Sequence, residues 1–180
     1  TALRREVIMR KLVNLAIVFG LAITVPASTA FAVQGRKIVK TFDKKSCIKI
    51  STVSGDCIVT KGVSDKIEVT VENSYRPEEN FEAEFDESGR TLHLVEHIDG
   101  NTHGGAKWAI STPDETEIEF STASGQLVIR GLSGQFEAGT ASGDIEIDDC
   151  RGEFDFSTAS GNIDARNCTG TWSEVNDWFW

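Results

Sequence analysis

The string His93-Leu-Val-Glu-His97 is the clearest chemical motif, because it has the H-x-x-E-H order of one class of zinc protease. In those enzymes a helix places both histidines on one face, one turn apart. Here Thr91 to Ile98 alternates apolar and polar residues, which predicts a β-strand. Histidines four apart on a strand are separated by roughly 13 Å, at about 3.3 Å per residue, too far to share one zinc ion. We therefore predict no metal site here.

Calcium binding is the next chemistry that the spacing raises, because glycines recur every nine residues from Gly125 to Gly170. Calcium-binding nonapeptide rolls need Gly-Gly-x-Gly-x-Asp in each turn. In this chain only Asp56, Asp144 and Asn162 follow a repeat glycine with a suitable side chain. We predict no calcium ladder and no cofactor.

Polysaccharide cleavage requires clustered acids, and Asp148-Asp149 with Arg151 is the only local cluster that offers them. The cluster falls at a predicted corner, where acidic turn residues are common. We therefore predict no catalytic residues and a non-enzymatic protein. A carbohydrate-processing β-helix enzyme is the alternative.

A repeat positions the regularly spaced glycines and the acidic cluster. The segments Ser121-Thr-Ala-Ser-Gly125, Gly139-Thr-Ala-Ser-Gly143 and Ser157-Thr-Ala-Ser-Gly161 are spaced by eighteen residues. Each underlying nonapeptide reads glycine, then alternating apolar residues, then a turn, which predicts a half-buried strand. Two nonapeptides per coil predict an all-β fold, a parallel β-solenoid with rungs of about 18 residues. An antiparallel sandwich of hairpins is the alternative.

Stacked rungs also align outward side chains in columns. We expect one column of alternating charge and one acidic column, formed respectively by Arg130, Asp148 and Arg166 and by Glu119, Glu137 and Asp155. The first half of the chain carries the same pattern in weaker form, from Cys47 to Thr60. Its Phe81–Phe85 and Thr91–Ile98 segments predict strands around a turn at 86–90.

The four cysteines have unequal prospects of pairing. Cys150 and Cys168 share one repeat position, so stacking brings their Cα atoms to about 4.8 Å, within the range of a disulfide. Equivalent side chains run parallel, however, and free cysteine is a common core residue. The bridge and two free thiols both stay open. Cys57 aligns with inward Leu127 and Cys47 with outward Glu117, which argues against their pairing.

Residues 1–32 have the features of a cleavable signal peptide. A basic start at Met9-Arg10-Lys11 precedes an apolar helix from Leu12 to Val25, and Ala30-Phe31-Ala32 supplies a cleavage site. Residues 1–8 are expected to be an upstream extension. About 20 apolar residues are needed to span a bilayer, so we expect no stable membrane anchor after cleavage. This leaves residues 33–180 as one repeat domain in the periplasm, at the cell surface or outside the cell.

The negative net charge of the chain limits the classes of molecule that it is expected to bind. The chain carries 28 acidic and 18 basic residues, a net charge of −10, and this repels nucleic acid and anionic lipid. We expect the partner to be a protein or a glycan surface.

The Ser-Thr-Val-Ser-Gly-Asp segment at 51–56, the Thr-Ala-Ser-Gly repeats and the 110–116 segment resemble a family of exported bacterial domains named putative adhesin. The resemblance spans about Lys37 to Trp172. It implies a β-solenoid and an adhesin-like surface, and it implies no catalytic residues. The repeat stops at Trp172. With Trp178, Phe179 and Trp180 of the tail, that tryptophan is expected to be a binding anchor or a cap over the end of the solenoid.

Overall fold

Alternating apolar and polar residues form strands throughout residues 36–173, the part of the chain that the computed structural model describes. The strands of this part are β1 (Arg36–Asp43), β2 (Cys47–Thr52), β3 (Asp56–Lys61), β4 (Lys66–Asn73), β5 (Phe81–Ser88), β6 (Thr91–Ile98), β7 (Ala106–Thr112), β8 (Glu117–Thr122), β9 (Leu127–Arg130), β10 (Ser133–Thr140), β11 (Ile145–Asp148), β12 (Arg151–Thr158), β13 (Ile163–Arg166) and β14 (Thr169–Trp172). A short 3-10 helix spans Glu78–Asn80. Within the described part, no helix has the length and apolarity to cross a membrane. The predicted signal-peptide helix lies outside the described residues.

The strands form two mixed, seven-stranded sheets, both open at their edges. Sheet I has the order β1-β4-β7-β3-β9-β11-β13, and sheet II has the order β14-β12-β10-β8-β2-β6-β5. Successive strands of the repeat alternate between the two sheets, because each nonapeptide supplies one strand and one corner. The fold is therefore all-β, as predicted.

From Glu117 onward, the strands of each sheet pair in parallel at an offset of 18 residues. In sheet II, Phe136 lies beside Ile118 on one side and Phe154 on the other. In sheet I, Ile145 lies between Leu127 and Ile163 in the same way. Like residues therefore stack on like residues, which confirms the predicted register for this part of the chain.

The first half departs from that regular stack. Strands β2 and β3 align in parallel with β8 and β9, so Cys57 pairs with Leu127 and Cys47 with Glu117, as predicted. Strands β1, β4 and β7, however, pair antiparallel, and so do β5 and β6. A two-residue turn at Gly89-Arg90 joins β5 to β6, with Gly89 at a φ of 57°. This hairpin confirms the predicted strands around a turn at 86–90. The parallel pairing predicted for residues 33–180 as a whole is wrong for these antiparallel pairs.

The inward residues of both sheets share one hydrophobic core. Across the sheets, the ring centroids of Phe85 in β5 and Trp108 in β7 are 6.0 Å apart. Along sheet II, Phe136 stacks on Phe154 at 5.4 Å, and Phe154 stacks on Trp172 at 4.4 Å. An aromatic column thus runs along the stack to its last strand.

The Thr-Ala-Ser-Gly repeat has a structural cause at the corners. A Cβ atom on Gly143 would lie 1.9 Å from the carbonyl oxygen of Gly125, so no side chain fits there. The Thr140 hydroxyl accepts a hydrogen bond of 2.8 Å from the Gly143 N–H. Thr158 and Gly161 repeat the same bond at 2.8 Å. A threonine hydroxyl bonded to the N–H of a glycine three residues later therefore stabilises the turn at each of these corners.

Candidate interaction surface

The two histidines of the zinc-protease string lie on the outer face of β6, as the strand prediction required. His97 is 2.7 Å from Glu84 of the neighbouring strand β5. His93 lies opposite Asp86 in the same antiparallel pair. The string is therefore part of a β-strand whose outer face carries both histidines, rather than a helical zinc motif.

The acidic column of sheet II is formed as predicted, since β8, β10 and β12 place Glu119, Glu137 and Asp155 side by side. Lys49 in β2 extends the row and pairs with Glu119 at 2.6 Å. Ligand atoms of Cys47, Glu117 and Glu119 lie within 4.8 Å of one another. Burial and the two glutamates raise the pKa of the Cys47 thiol to about 12, so the thiol stays protonated. The Glu119 carboxylate is thus engaged by the Lys49 ammonium group and by the Cys47 thiol, and these contacts stabilise the cluster.

The column of alternating charge differs from the prediction in its ion pairs. Arg130, Asp148 and Arg166 are aligned in β9, β11 and β13, as expected. The carboxylate that both arginines contact is Glu146, at 3.5 Å and 3.7 Å. Asp148 instead accepts a hydrogen bond from the Asn167 amide at 3.2 Å. The register was predicted correctly, but the pairing partner lies one row away, because arginine reaches diagonally across a sheet.

The acidic cluster that a glycosidase would use lies at a corner. Asp148 ends β11 and Arg151 begins β12, with Asp149 between them at a φ of 56°. Asn167 occupies the equivalent corner one rung on, at a φ of 53°. The left-handed backbone explains why aspartate and asparagine occur here, since they tolerate this conformation better than most residues.

A surface that the sequence analysis did not predict crosses the outer face of sheet I. Five neighbouring strands place mostly apolar side chains in one row, which we call the apolar stripe: Val39, Thr70, Ala109, Ile58 and Val128. Val39 is 62% exposed and Ile58 is 43% exposed, whereas Val128 is 7% exposed. At about 4.8 Å per strand the stripe is roughly 19 Å long.

Charged residues border the apolar stripe on one side. The neighbouring row holds Lys37, Glu72, Lys107 and Asp56, which alternate in sign. Lys37 and Glu72 form an ion pair of 3.2 Å. This row and the stripe residues of β4, β7, β3 and β9 together line a groove of about 520 Å³. An apolar centre with a polar, electrically balanced rim is the usual anatomy of a protein contact surface.

The signal for this surface was present in the repeat. Val128 takes the position between the two inward residues of its strand, where Glu137, Glu146 and Asp155 carry acids in other nonapeptides. Ile58 breaks the alternation in the same way, between inward Cys57 and Val59. An apolar residue in an otherwise acidic position thus indicates the surface. What alternation could not indicate is that the two residues are neighbours, since they lie on β3 and β9.

A buried carboxylate is the second feature that sequence reasoning missed. Glu96 in β6 is 4% exposed. It accepts hydrogen bonds from the Tyr75 hydroxyl at 3.1 Å and from the Trp108 indole N–H at 3.3 Å. Burial raises the pKa of Glu96, opposed by these bonds and by the N–H groups of Ser54 and Gly55. Glu96 therefore fastens the first Ser-Gly-Asp corner to the core.

The four cysteines are free thiols in the structure. The Cys150 thiol contacts the Asp148 carbonyl at 3.3 Å, and the Cys168 thiol contacts the Arg166 carbonyl at 3.1 Å. These equivalent contacts show that the two side chains point the same way. The bridge between Cys150 and Cys168 stays a prediction.

Of the four aromatic residues expected to bind a partner or cap the fold, the structure describes Trp172 alone. It is 43% exposed and packs against Phe154 and Phe156. Trp178, Phe179 and Trp180 lie outside the described residues.

No protein-family model and no curated protein matches this chain. Among solved structures, it is similar to a putative lipid binding protein from Parabacteroides distasonis ATCC 8503, with a TM-score of 0.51 and 18% identity. That match covers 76% of this chain, and this chain spans 60% of the other protein's length. At this identity the likeness shows a shared fold.

Two weaker matches have adhesion-related names. A putative cell adhesion protein from Clostridium sporogenes ATCC 15579 is 13% identical with a TM-score of 0.46, over 77% of this chain and 98% of its own. A putative adhesin from Parabacteroides distasonis ATCC 8503 is 14% identical with a TM-score of 0.35, over 77% of this chain and 69% of its own.

Proposed function

We propose that this chain is an exported, non-enzymatic β-solenoid that binds another protein, in the manner of an adhesin, through the apolar stripe. The observation that carries the proposal is the stripe itself. Ile58 in the central strand β3 and Val39 in the edge strand β1 expose apolar side chains on the outer face of sheet I, where solvent would favour polar residues.

The solenoid part of the proposal is supported by the 18-residue offset of the strands from Glu117 to Trp172. Each rung adds one strand to each sheet, so the outer faces lengthen as rungs are added. A long, rigid face of this kind suits a macromolecular partner better than a small substrate.

A protein partner is favoured over a glycan by the side chains of the stripe. Sugar rings bind well against exposed aromatic faces, whereas the stripe offers aliphatic groups and one hydroxyl. Of the tryptophans, Trp108 lies behind the stripe, but its side chain is 1% exposed and belongs to the core. The net charge of −10 further disfavours nucleic acid and anionic polymers.

A non-enzymatic role is supported by the placement of the acidic cluster. Asp148 and Asp149 lie at a corner of the stack, and Asp149 takes a turn conformation. The groove on sheet I is lined by one carboxylate pair, Asp56 and Glu72, each beside a lysine of the same row. The alternative function, a carbohydrate-processing enzyme, is tested in the same experiment.

The test places a photo-cross-linking amino acid at position 58 in cells that produce the protein. We expect a cross-linked protein, which mass spectrometry identifies. The same amino acid at position 164, an exposed outer position of the same sheet, is the matched control and should give none.

The purified partner is then titrated with the unaltered chain and with Ile58→Glu. We expect at least a tenfold weaker affinity for the variant, with an unchanged melting temperature because Ile58 lies outside the core. Equal affinities contradict the stripe as the binding site. Retention on a glycan array without protein binding makes the partner a glycan, and polysaccharide turnover that is lost in Asp148→Asn makes the protein an enzyme.

A further inference from the structure

The charged row beside the apolar stripe has an order of signs that makes it complementary to a reversed copy of itself. From β1 across β4 and β7 to β3, the row reads Lys37, Glu72, Lys107 and Asp56, so positive and negative charges alternate. All four residues are exposed. Reversing the order of such a row exchanges positive for negative at every position. Two copies of the row that face each other in opposite directions would therefore bring opposite charges together throughout.

A two-fold axis that runs parallel to the strands, between β4 and β7, produces this reversal. With two copies facing each other through sheet I, Lys37 would lie opposite Asp56 of the second copy, and Glu72 opposite Lys107 of the second copy. The axis repeats each pair, as a symmetric dimer requires. An axis along β4 or along β7 would instead place Glu72 or Lys107 opposite its own copy. The charges thus select one position of the axis.

The apolar stripe is complementary to itself about the same axis. Val39 would face Ile58 of the second copy, and Thr70 would face Ala109 of the second copy. Val39 and Ile58 are the two large apolar residues of the stripe that are exposed, at 62% and 43%. The arrangement that pairs the charges therefore also brings these two side chains together, and it gives the contact an apolar centre beside a charged rim.

The row on the other side of the stripe is compatible with this axis. It holds Thr41, Glu68, Ser111 and Thr60. Thr41 would face Thr60 of the second copy, and Glu68 would face Ser111, so no like charges meet in this row. A two-fold axis that ran along the stripe itself would instead place Glu68 opposite Glu72 of the second copy. This row therefore favours the axis parallel to the strands as well.

We propose that the partner of the apolar stripe is a second copy of this chain, bound in a symmetric dimer about the axis between β4 and β7. This inference rests on the proposed binding function and names its partner. The four overlapping strands cover roughly 19 Å by 23 Å on each copy, or about 900 Å² in total, at the low end of specific interfaces. The net charge of −10 on each chain opposes association. We therefore expect a dissociation constant in the micromolar range.

Sedimentation velocity over a wide range of concentrations tests the proposal, with protein purified from the cells that produce it. The unaltered chain should pass from monomer to dimer. Glu72→Lys sets two positive charges against each other and Lys107→Glu two negative charges, so each variant alone should dimerise about tenfold more weakly or worse. An equimolar mixture of the two variants should dimerise as well as the unaltered chain, because opposite charges then meet at both positions. Asp164→Lys, the same change of charge on the outer face of β13, is the matched control and should have no effect.

Three results would overturn the proposal: a monomer at every concentration, a dimer that neither single variant weakens, and weakened variants that do not dimerise when mixed. The last result would exclude the two-fold pairing, because that pairing requires the rescue. None of these results contradicts the proposed function. A different protein cross-linked at position 58 would keep the stripe as a binding site and exclude the second copy, whereas the chain cross-linked to itself would support both.

Discussion

At the scale of single residues, the corner glycines and the threonines that bond them decide whether rungs can stack. Gly143 approaches the backbone of the rung before it, whereas Gly139, in strand β10, has ordinary space around it. A Cβ on Gly139 would meet the Ser157 hydroxyl at 3.5 Å, a normal contact distance. The two glycines lie four residues apart in one repeat, which makes them a matched pair.

We predict that Gly143→Val destabilises the protein by more than about 3 kcal/mol, because the rungs must separate to admit the side chain. Gly139→Val should change stability by less than about 1 kcal/mol, and so should Glu146→Val on the outer face of β11. Urea unfolding of the three variants measures this. Equal losses for Gly143→Val and Gly139→Val would contradict the stacking register.

Glu96 gives the protein a pH dependence of a definite sign. Burial raises its pKa in the folded state above the value in the unfolded chain, so between these two values the folded state binds more protons. The contribution of Glu96 to stability is therefore present at acidic pH and is lost as pH rises through the folded-state pKa.

We predict that the stability of the unaltered chain, relative to Glu96→Gln, is greater at pH 4 than at pH 7. The comparison cancels the titration of the other carboxylates, which both proteins share. Thermal or urea unfolding at several pH values measures the difference. A difference that is constant with pH would mean that the Glu96 pKa is unshifted.

Sequence patterns predicted the inward or outward direction of most residues but not their partners on other strands. Alternation placed Phe136, Ile145 and Phe154 in the core correctly. It treated Glu96 as an ordinary strand residue, since the indole and hydroxyl that satisfy its carboxylate come from Trp108 and Tyr75 on other segments. The apolar stripe was missed for the same reason, because Ile58 and Val128 are 70 residues apart in sequence and adjacent in space.

At the scale of elements, the exact 18-residue repeat predicted the pairing of β8 to β14, whereas the first half was only partly predictable. Between β2 and β8 the chain makes the β5–β6 hairpin and runs β4 antiparallel to both β1 and β7. Apolar and polar residues alternate in these strands as regularly as in the repeat strands. Their pairing depends on loop lengths that follow no period, so the sequence predicted the strands around the turn at 86–90 but not the direction of β4 relative to β1 and β7.

The position of each cysteine, in a buried strand or at a corner, determines how reactive its thiol is expected to be. Cys168, at the corner between β13 and β14, is half-buried, whereas Cys57 in β3 is fully buried and has its thiol pKa raised by burial. Burial also raises the pKa of the Cys150 thiol.

We predict that iodoacetamide at pH 8 modifies Cys168 first and Cys57 last in the folded protein, because only the exposed thiolate reacts. Peptide mass spectrometry over time measures the order. Faster labelling of Cys57 than of Cys168 would contradict the placement of β3 in the core. Alkylation of the unreduced, denatured protein tests the predicted bridge between Cys150 and Cys168. Alkylation of Cys47 and Cys57 alone would establish the bridge, and four alkylated thiols would exclude it.

At the scale of the whole molecule, the charged residues of the described strands are distributed differently over the outer faces of the two sheets. Sheet I carries the apolar stripe and a row of alternating charge. Sheet II carries the acidic column, in which Glu137 lies directly between Glu119 and Asp155. Like charges opposite each other on neighbouring strands destabilise a sheet by roughly 0.2–1 kcal/mol. Repulsion between like charges therefore lowers stability on the outer face of sheet II, whereas the proposed contact surface lies on the outer face of sheet I.

We predict that Glu137→Gln raises the melting temperature by about 1–3 °C in low salt, because it removes the central charge of the column. Glu119→Gln is the matched control: it removes a charge from the same column but also the 2.6 Å ion pair with Lys49, so it should bring little or no gain. At about 0.5 M NaCl the gain from Glu137→Gln should shrink, since salt screens exposed charges. Calorimetry at both salt concentrations measures these shifts. A gain that persists in high salt would assign the effect to packing, and an equal gain for Glu119→Gln would show that Lys49 does not offset the repulsion.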